Sequence, residues 1–164
     1  MRRLVAIAVS LSLCVFLLFG CGVYTFNGRG KSNIKTIAID PFENQTSQFG
    51  LTDRLTQIIV DAFISDGTIK VVPIAMADAV LTGQLTRYDR IASKYDASDR
   101  VEEYKVLMDF QVTLKNPKDQ TDLWKAQMNQ EGIYKADGQT EVDGQKAAGK
   151  RLVEAILNKT TVSW

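Results

Sequence analysis

Val101 to Leu114 reads as one long strand, and no other stretch constrains the fold as strongly. Tyr104, Val106, Met108, Phe110, Val112 and Leu114 alternate with Lys105, Leu107, Asp109, Gln111 and Thr113. Successive side chains of a strand point to opposite faces, so this run buries one face and wets the other. Only Leu107 interrupts the polar side. Such a strand needs neighbours in a sheet and a layer to cover its apolar face.

The rest of the chain supplies both. Ile34–Asp40 is β-branched and apolar and stops at Pro41, which predicts a first strand. Pro41–Gly50 is a loop by composition. Leu51, Leu55, Ile58, Ile59, Ala62 and Phe63 then form one stripe on a helical period. Thr52 or Asp53 offers acceptors at the start of that helix, and Gly67 suits a left-handed C-terminal cap. Ile69–Val72 is a short strand before Pro73, expected to run parallel to the first after a right-handed crossover. Ala79–Tyr95 is a strand, Asp96–Arg100 a turn, and Val101–Leu114 the return. Asn116–Gln120 turns again into a last strand over Asp122–Tyr134. A final helix is expected from about Thr140 to Asn158, with Ala148, Leu152, Ala155 and Ile156 as its stripe.

The predicted class is α+β: two helices on one face of a mostly antiparallel, mixed four-stranded sheet. The order is β-α-β-β-β-α, with room for one further short strand. Strands of about 13 residues span roughly 43 Å, whereas the helices span only about 22–28 Å. The 85–105 end of the hairpin should therefore project beyond its cover. A projecting ribbon with free edges is an interaction surface or an aggregation hazard; the plain alternative is a loose surface hairpin.

The N-terminus bears on the compartment. Arg2 and Arg3 precede Leu4–Phe19, an uncharged run of 16 residues. A bilayer span needs about 20, so the layout is that of a secretory signal peptide. It ends in Leu18-Phe19-Gly20-Cys21, the pattern that precedes acylation of a cysteine, with Phe19 bulkier than usual. The alternative is an ordinary signal or membrane anchor with a chance cysteine. Residues 1–20 are expected to be removed, and Cys21 to carry S-diacylglycerol and an N-acyl chain. Gly22 rather than Asp then suits outer-membrane sorting. Two or three acyl chains make a stable anchor, where one is marginal. Residues 21–33 read as a tether, 34–158 as the domain and 159–164 as a tail. Tyr24 and Phe26 suit a membrane interface or packing against the domain itself.

Loss of Arg2 and Arg3 takes Lys and Arg from 20 to 18 against 19 Asp and Glu, a net charge of −1. A generally basic nucleic-acid binder is therefore not expected. The chain has no histidine, and no cysteine would remain after Cys14 is removed and Cys21 acylated. The commonest general base and the usual zinc ligands are thus missing, and no carboxylate pair stands out by spacing. The expectation is a protein that is not an enzyme and needs no metal or cofactor.

Several segments together resemble the LPS-assembly lipoprotein family, LptE. They are Cys21-Gly22-Val23-Tyr24-Thr25-Phe26 with Gly28, Ile34–Ile39 with Phe42-Glu43-Asn44 and Thr46, and Phe63–Gly67. Ala77–Gly83, Tyr95-Asp96 with Val101–Tyr104 and Val106, and Trp124 continue the match in order. Pieces such as Ala77–Gly83 occur in other periplasmic lipoproteins, including activators of cell-wall synthesis. The resemblance implies a plug inside the outer-membrane β-barrel LptD, helping that barrel fold and assisting lipopolysaccharide insertion into the outer leaflet. It also implies two helices on a four-stranded sheet and a lipid-anchored place on the periplasmic side of the outer membrane. The competing readings are a periplasmic regulator of cell-wall synthesis, or of another envelope assembly machine, and an enzyme acting on envelope glycans.

A glycolipid would need cations facing its phosphates, Arg best for two-pronged contact. Candidates are Arg87, Arg90, Lys94, Arg100, Lys105 and Lys125, with Lys135 nearby. Asp89, Asp96, Asp99, Glu102 and Glu103 lie among them, so a mixed solvated face is the competing reading.

Overall fold

A computed structural model describes residues 34–162. Cys21, Tyr24 and Phe26, and with them the expected signal peptide and tether, lie outside the described residues.

The elements run β1 (Thr36–Ile39), β2 (Glu43–Asn44), α1 (Leu51–Asp66), β3 (Lys70–Val71), a single 3-10 turn (Ile74–Met76), β4 (Ala79–Tyr95), β5 (Val101–Lys115), β6 (Asp122–Lys135) and α2 (Glu141–Val162). The sheet order is β3-β1-β4-β5-β6, with β2 also on β4. β4, β5 and β6 form an antiparallel meander, while β1 runs parallel to both β3 and β4. The α+β expectation of two helices on a mixed, mostly antiparallel sheet holds. Its four main strands are joined by two of only two residues each, β2 and β3.

β2 lies inside the stretch expected to be all loop. Its pairing is tertiary: Glu43 and Asn44 meet Gln84 and Leu85, far along the chain. Composition around Pro41 gives no sign of such a partner.

Helix α1 buries the predicted stripe, Leu51, Leu55, Ile58, Ile59 and Phe63. Its N-cap is Gly50 at φ 72, with no side-chain cap, so neither Thr52 nor Asp53 plays that part. Thr56 Oγ1 instead accepts the backbone N–H of Phe42 and ties the β1–β2 loop to the helix. Gly67 closes the C-terminus at φ 74, its N–H bonded to the Phe63 carbonyl, as a left-handed cap requires. Helix α2 continues to Val162, past the Asn158 expected. Thr140 and Asp143 cap its start: the Thr140 N–H and hydroxyl both donate to Asp143 Oδ2, at 2.8 and 2.9 Å.

Both helices bury the same face of the sheet. The core unites the α1 stripe with Ala148, Leu152, Val153 and Ile156 of α2 and the even-numbered residues of β5 from Val106 to Leu114. The Phe42 ring meets Phe110 edge-on at 6.3 Å. At the base, Asp78 accepts the N–H groups of Lys35 and Thr36 and the Thr36 hydroxyl, each at 2.9 Å. These bonds, that of the Lys35 N–H first, hold the Asp78 carboxyl below its usual range.

Candidate functional site

The feature that departs from an ordinary two-layer body is the β4–β5 hairpin. β4 is 17 residues long and β5 15, so β4 spans roughly 56 Å. Helices of 16 and 22 residues reach only about 24 and 33 Å. Burial on β4 ends at Leu85 and on β5 begins at Val106; no residue between them is buried. The predicted overhang is present.

Its tip is firmly made. Asp96 Oδ1 accepts the N–H groups of Ser98 and Arg100, and Asp96 Oδ2 accepts Arg100 Nε at 2.8 Å. The Arg100 N–H leads the bonds that lower the pKa of Asp96. Asp99 takes φ 58 to close the turn, a conformation Asp tolerates better than most residues.

The six predicted cations do not converge. The register places Arg87 opposite Asp109 and Ile91 opposite Lys105, and Thr113 opposite Lys125, on the face away from the helices. Arg90, opposite Val106, stands on the helix face. Five of the six are in ion pairs: Arg87 with Asp89 at 2.6 Å, Lys94 with Glu102 at 2.6 Å, Lys105 with Glu131 at 2.9 Å, Arg100 with Asp96 at 2.8 Å and Arg90 with Glu141 at 3.8 Å. Lys125 alone has no ion pair among the described residues. It borders an open polar cavity of about 510 Å³ on the uncovered face, lined also by Asp40, Glu43, Gln84, Gln111 and Lys115.

Arg90 belongs to a cluster that local patterns do not reveal. Its guanidinium carbon lies 4.1 Å from the centre of the Tyr104 ring, and Nε donates to the Tyr134 hydroxyl. That bond is the main reason its pKa is raised. Tyr104 and Tyr134 stack at 5.4 Å, cross-strand neighbours on β5 and β6. Tyr88 donates to Glu141 in the first turn of α2 and accepts from Gln145 Nε2 at 2.9 Å. Partial burial comes first among the causes that hold the Tyr88 phenol neutral well above the usual tyrosine range. The cluster forms where α2 ends its cover, and it fixes the base of the overhang to that helix. A register irregularity between Leu85 and Arg87 moves Tyr88 onto the helix face. Simple alternation from Ala79 places it on the other face.

The chain matches the sequence pattern of the LptE lipopolysaccharide-assembly family over residues 34–160.

The chain belongs to the LptE family.

The resemblance carried by its sequence segments is thus borne out, and the family is one of lipopolysaccharide assembly. No curated protein matches it by sequence. Solved structures share the fold at low identity. A hypothetical protein of Chlamydia trachomatis is 9% identical, with 80% of this chain and 99% of that one covered, at a TM-score of 0.55. A protein from Xanthomonas campestris is 13% identical, with 84% and 90% covered, at 0.54. The PelC dodecamer from Paraburkholderia phytofirmans is 12% identical, with 73% and 86% covered, at 0.50. Chains of widely different sequence therefore share this two-layer fold.

Proposed function

We propose that this protein is an outer-membrane lipoprotein, acylated on Cys21, that plugs and helps fold the LptD β-barrel and assists lipopolysaccharide insertion into the outer leaflet. The family match over residues 34–160 carries the reading. The overhanging hairpin supports it, because a ribbon longer than its own helical cover suits a body enclosed by something else. So does the uncovered face of the sheet, where Thr82, Gln84, Gln111, Thr113, Gln127 and Asn129 offer hydrogen-bonding groups. The lumen wall of such a barrel is polar and calls for that kind of surface.

The test is co-purification. A tagged chain expressed in its own cell should bring down a large LptD-type barrel, and its depletion should lower the amount of folded barrel. Recovery of a cell-wall synthase in place of any barrel would instead support the regulator. Cys21→Ser should leave the domain folded but the chain unprocessed or mislocalised; normal processing and outer-membrane residence would count against lipidation.

For glycolipid contact, Lys125 is the cation whose charge is least committed. Lys125→Ala should weaken capture of purified lipopolysaccharide by about tenfold, the order of one lost charged contact. Lys94→Ala, which also frees Glu102, should change it less. Equal binding by both variants and the parent would remove Lys125 from the site.

A further inference from the structure

The end of the sheet opposite the hairpin tip carries an exposed apolar turn. β1 and β4 run parallel and start together, with Ile37 beside Ala79, so the Ile74–Met76 turn just before β4 stands at the base of the sheet. The chain from Val71 to Ala77 is uncharged, and Pro73 to Met76 are all exposed. Ile74 is 53% exposed and Met76 66%. Ile64, in the last turn of α1, is 64% exposed and borders a shallow cavity of about 420 Å³ with Gly67, Lys70 and Val71. Exposed apolar side chains gathered in one place mark a contact surface.

The turn is held firmly. The Met76 N–H donates to the Pro73 carbonyl at 2.9 Å and the Ala77 N–H to the Ile74 carbonyl at 3.3 Å. The Thr36 hydroxyl accepts the Asp78 N–H at 2.9 Å and lies 3.2 Å from the Met76 carbonyl oxygen. These bonds satisfy backbone groups that would otherwise resist leaving water. They also fix the turn beside Thr36, just after the chain arrives from Cys21. Cys21 lies 13 residues before Ile34, a reach of at most about 43–47 Å. Lys35 and Lys70 flank the turn from neighbouring strands, and neither is in an ion pair among the described residues. Of the carboxylates at this end, Asp78 accepts the N–H groups of Lys35 and Thr36, and Asp66 accepts the Thr68 N–H at 3.1 Å.

We propose that the Ile74–Met76 turn rests in the phospholipid leaflet that holds the acyl chains of Cys21. Ile74 and Met76 lie at the boundary of headgroups and acyl chains, and Lys35 and Lys70 face the phosphates. The proposal rests on the acylation of Cys21. Apolar burial drives the insertion, and the two cations add attraction to phosphate. A turn this small binds a membrane weakly alone. The tether keeps it within reach of the leaflet, so its entry is an intramolecular step. The contact fits the barrel insert, because the turn and the overhang stand at opposite ends of β4. The overhang can enter the lumen while the base stays at the periplasmic rim, next to the leaflet from which the tether comes. Anchor and turn together then set which end of the sheet faces the barrel.

The test uses the full acylated chain in vesicles of phosphatidylethanolamine and phosphatidylglycerol. Acylation occupies the Cys21 thiol and Cys14 leaves with the signal, so an introduced cysteine is the only one free to carry a fluorescent label. Brominated acyl chains should quench a label on Met76→Cys several-fold more than one on Phe49→Cys, which is 95% exposed before the other end of α1. Adding Ile74→Asp to Met76→Cys should lower the ratio of inserted to free turn by about tenfold, the order expected when one aliphatic side chain gives way to a charge. Ile74→Ser, a milder change at the same exposed position, should shift it the same way. Equal quenching at positions 49 and 76, a Met76→Cys label that stays in water, or no effect of either Ile74 change would each overturn the proposal. So would a label that leaves water only when a barrel protein is added. The mass of the purified chain separates the two readings. An acylated chain whose turn stays in water removes the leaflet contact alone, whereas a chain without acyl groups removes both.

Discussion

Gly132 of β6 lies against Gly144 of α2 so closely that a Cβ on Gly132 would stand 1.8 Å from the Gly144 carbonyl oxygen. The same atom would come within 2.7 Å of the Ala148 nitrogen. Helix and strand thus meet backbone to backbone, which only glycine allows. The contact sits next to the start of α2, where Glu141 and Gln145 reach Tyr88. It sets how near the helix comes to the base of the overhang.

Gly132→Ala should be among the most damaging single changes. The colliding atoms are helix backbone and cannot swing aside, so the loss should be at least about 2–3 kcal/mol, the upper range for overpacking. Urea unfolding of the variant beside the parent measures it. An unchanged midpoint would mean that α2 sits further from β6 than described.

Gly83 and Phe42 form a second close contact, this time with a side chain. A Cβ on Gly83 would fall 2.0 Å from Phe42 Cε1, and Phe42 is fully buried against Phe110. Gly83→Ala should cost about 1–3 kcal/mol. Phe42→Leu should cost about 1 kcal/mol or more alone through the space it leaves. Because the second change makes room for the first, the double variant should lose less than the two single losses added together. A double-mutant cycle reads the coupling, and strict additivity would refute the contact.

Arg90 is expected to hold the overhang to the body. Arg90→Ala removes the stacking on Tyr104 and the bond to Tyr134, worth about 0.5–1 kcal/mol for the cation–ring contact. Amide exchange over 86–104 should quicken several-fold, while exchange over Val106–Leu114 should hardly change. Arg90→Lys should recover little, since it lacks the planar face that stacks. Uniform exchange changes along both halves of the hairpin would argue against a local clamp.

Acid should loosen the base of the sheet through Asp78. Its folded pKa lies below its ordinary value, so its charge stabilises the fold above the usual carboxylate range. That contribution is lost as pH falls through the lowered folded value. Asp78→Asn should be less stable than the parent at neutral pH, and the two should converge as both become uncharged in acid. Melting temperatures from pH 7 down to about pH 2 test this; parallel curves would show that the Asp78 charge is idle.

Local sequence settles the strand–helix alphabet of the protein and the existence of the overhang. The alternation from Tyr104 to Leu114 and the stripe from Leu51 to Phe63 are local periodicities, and hydrophobic burial turns them into faces. Strand and helix lengths follow from residue counts, so the mismatch between ribbon and cover is arithmetic. The candidate cations were legible as residues but not as a site. Arg90 and Lys105 both lie on the projecting ribbon, yet they point to opposite faces, and most of the six are neutralised by carboxylates. Three-dimensional packing alone makes β2 pair with β4, brings Tyr88 to Glu141 and Gln145, and lays Gly132 under Gly144. Each of these joins residues distant in the chain, through a bulge or a close approach that no local pattern encodes. Periodicity fixes which way a side chain faces along its own element; what stands opposite depends on how all the layers close together.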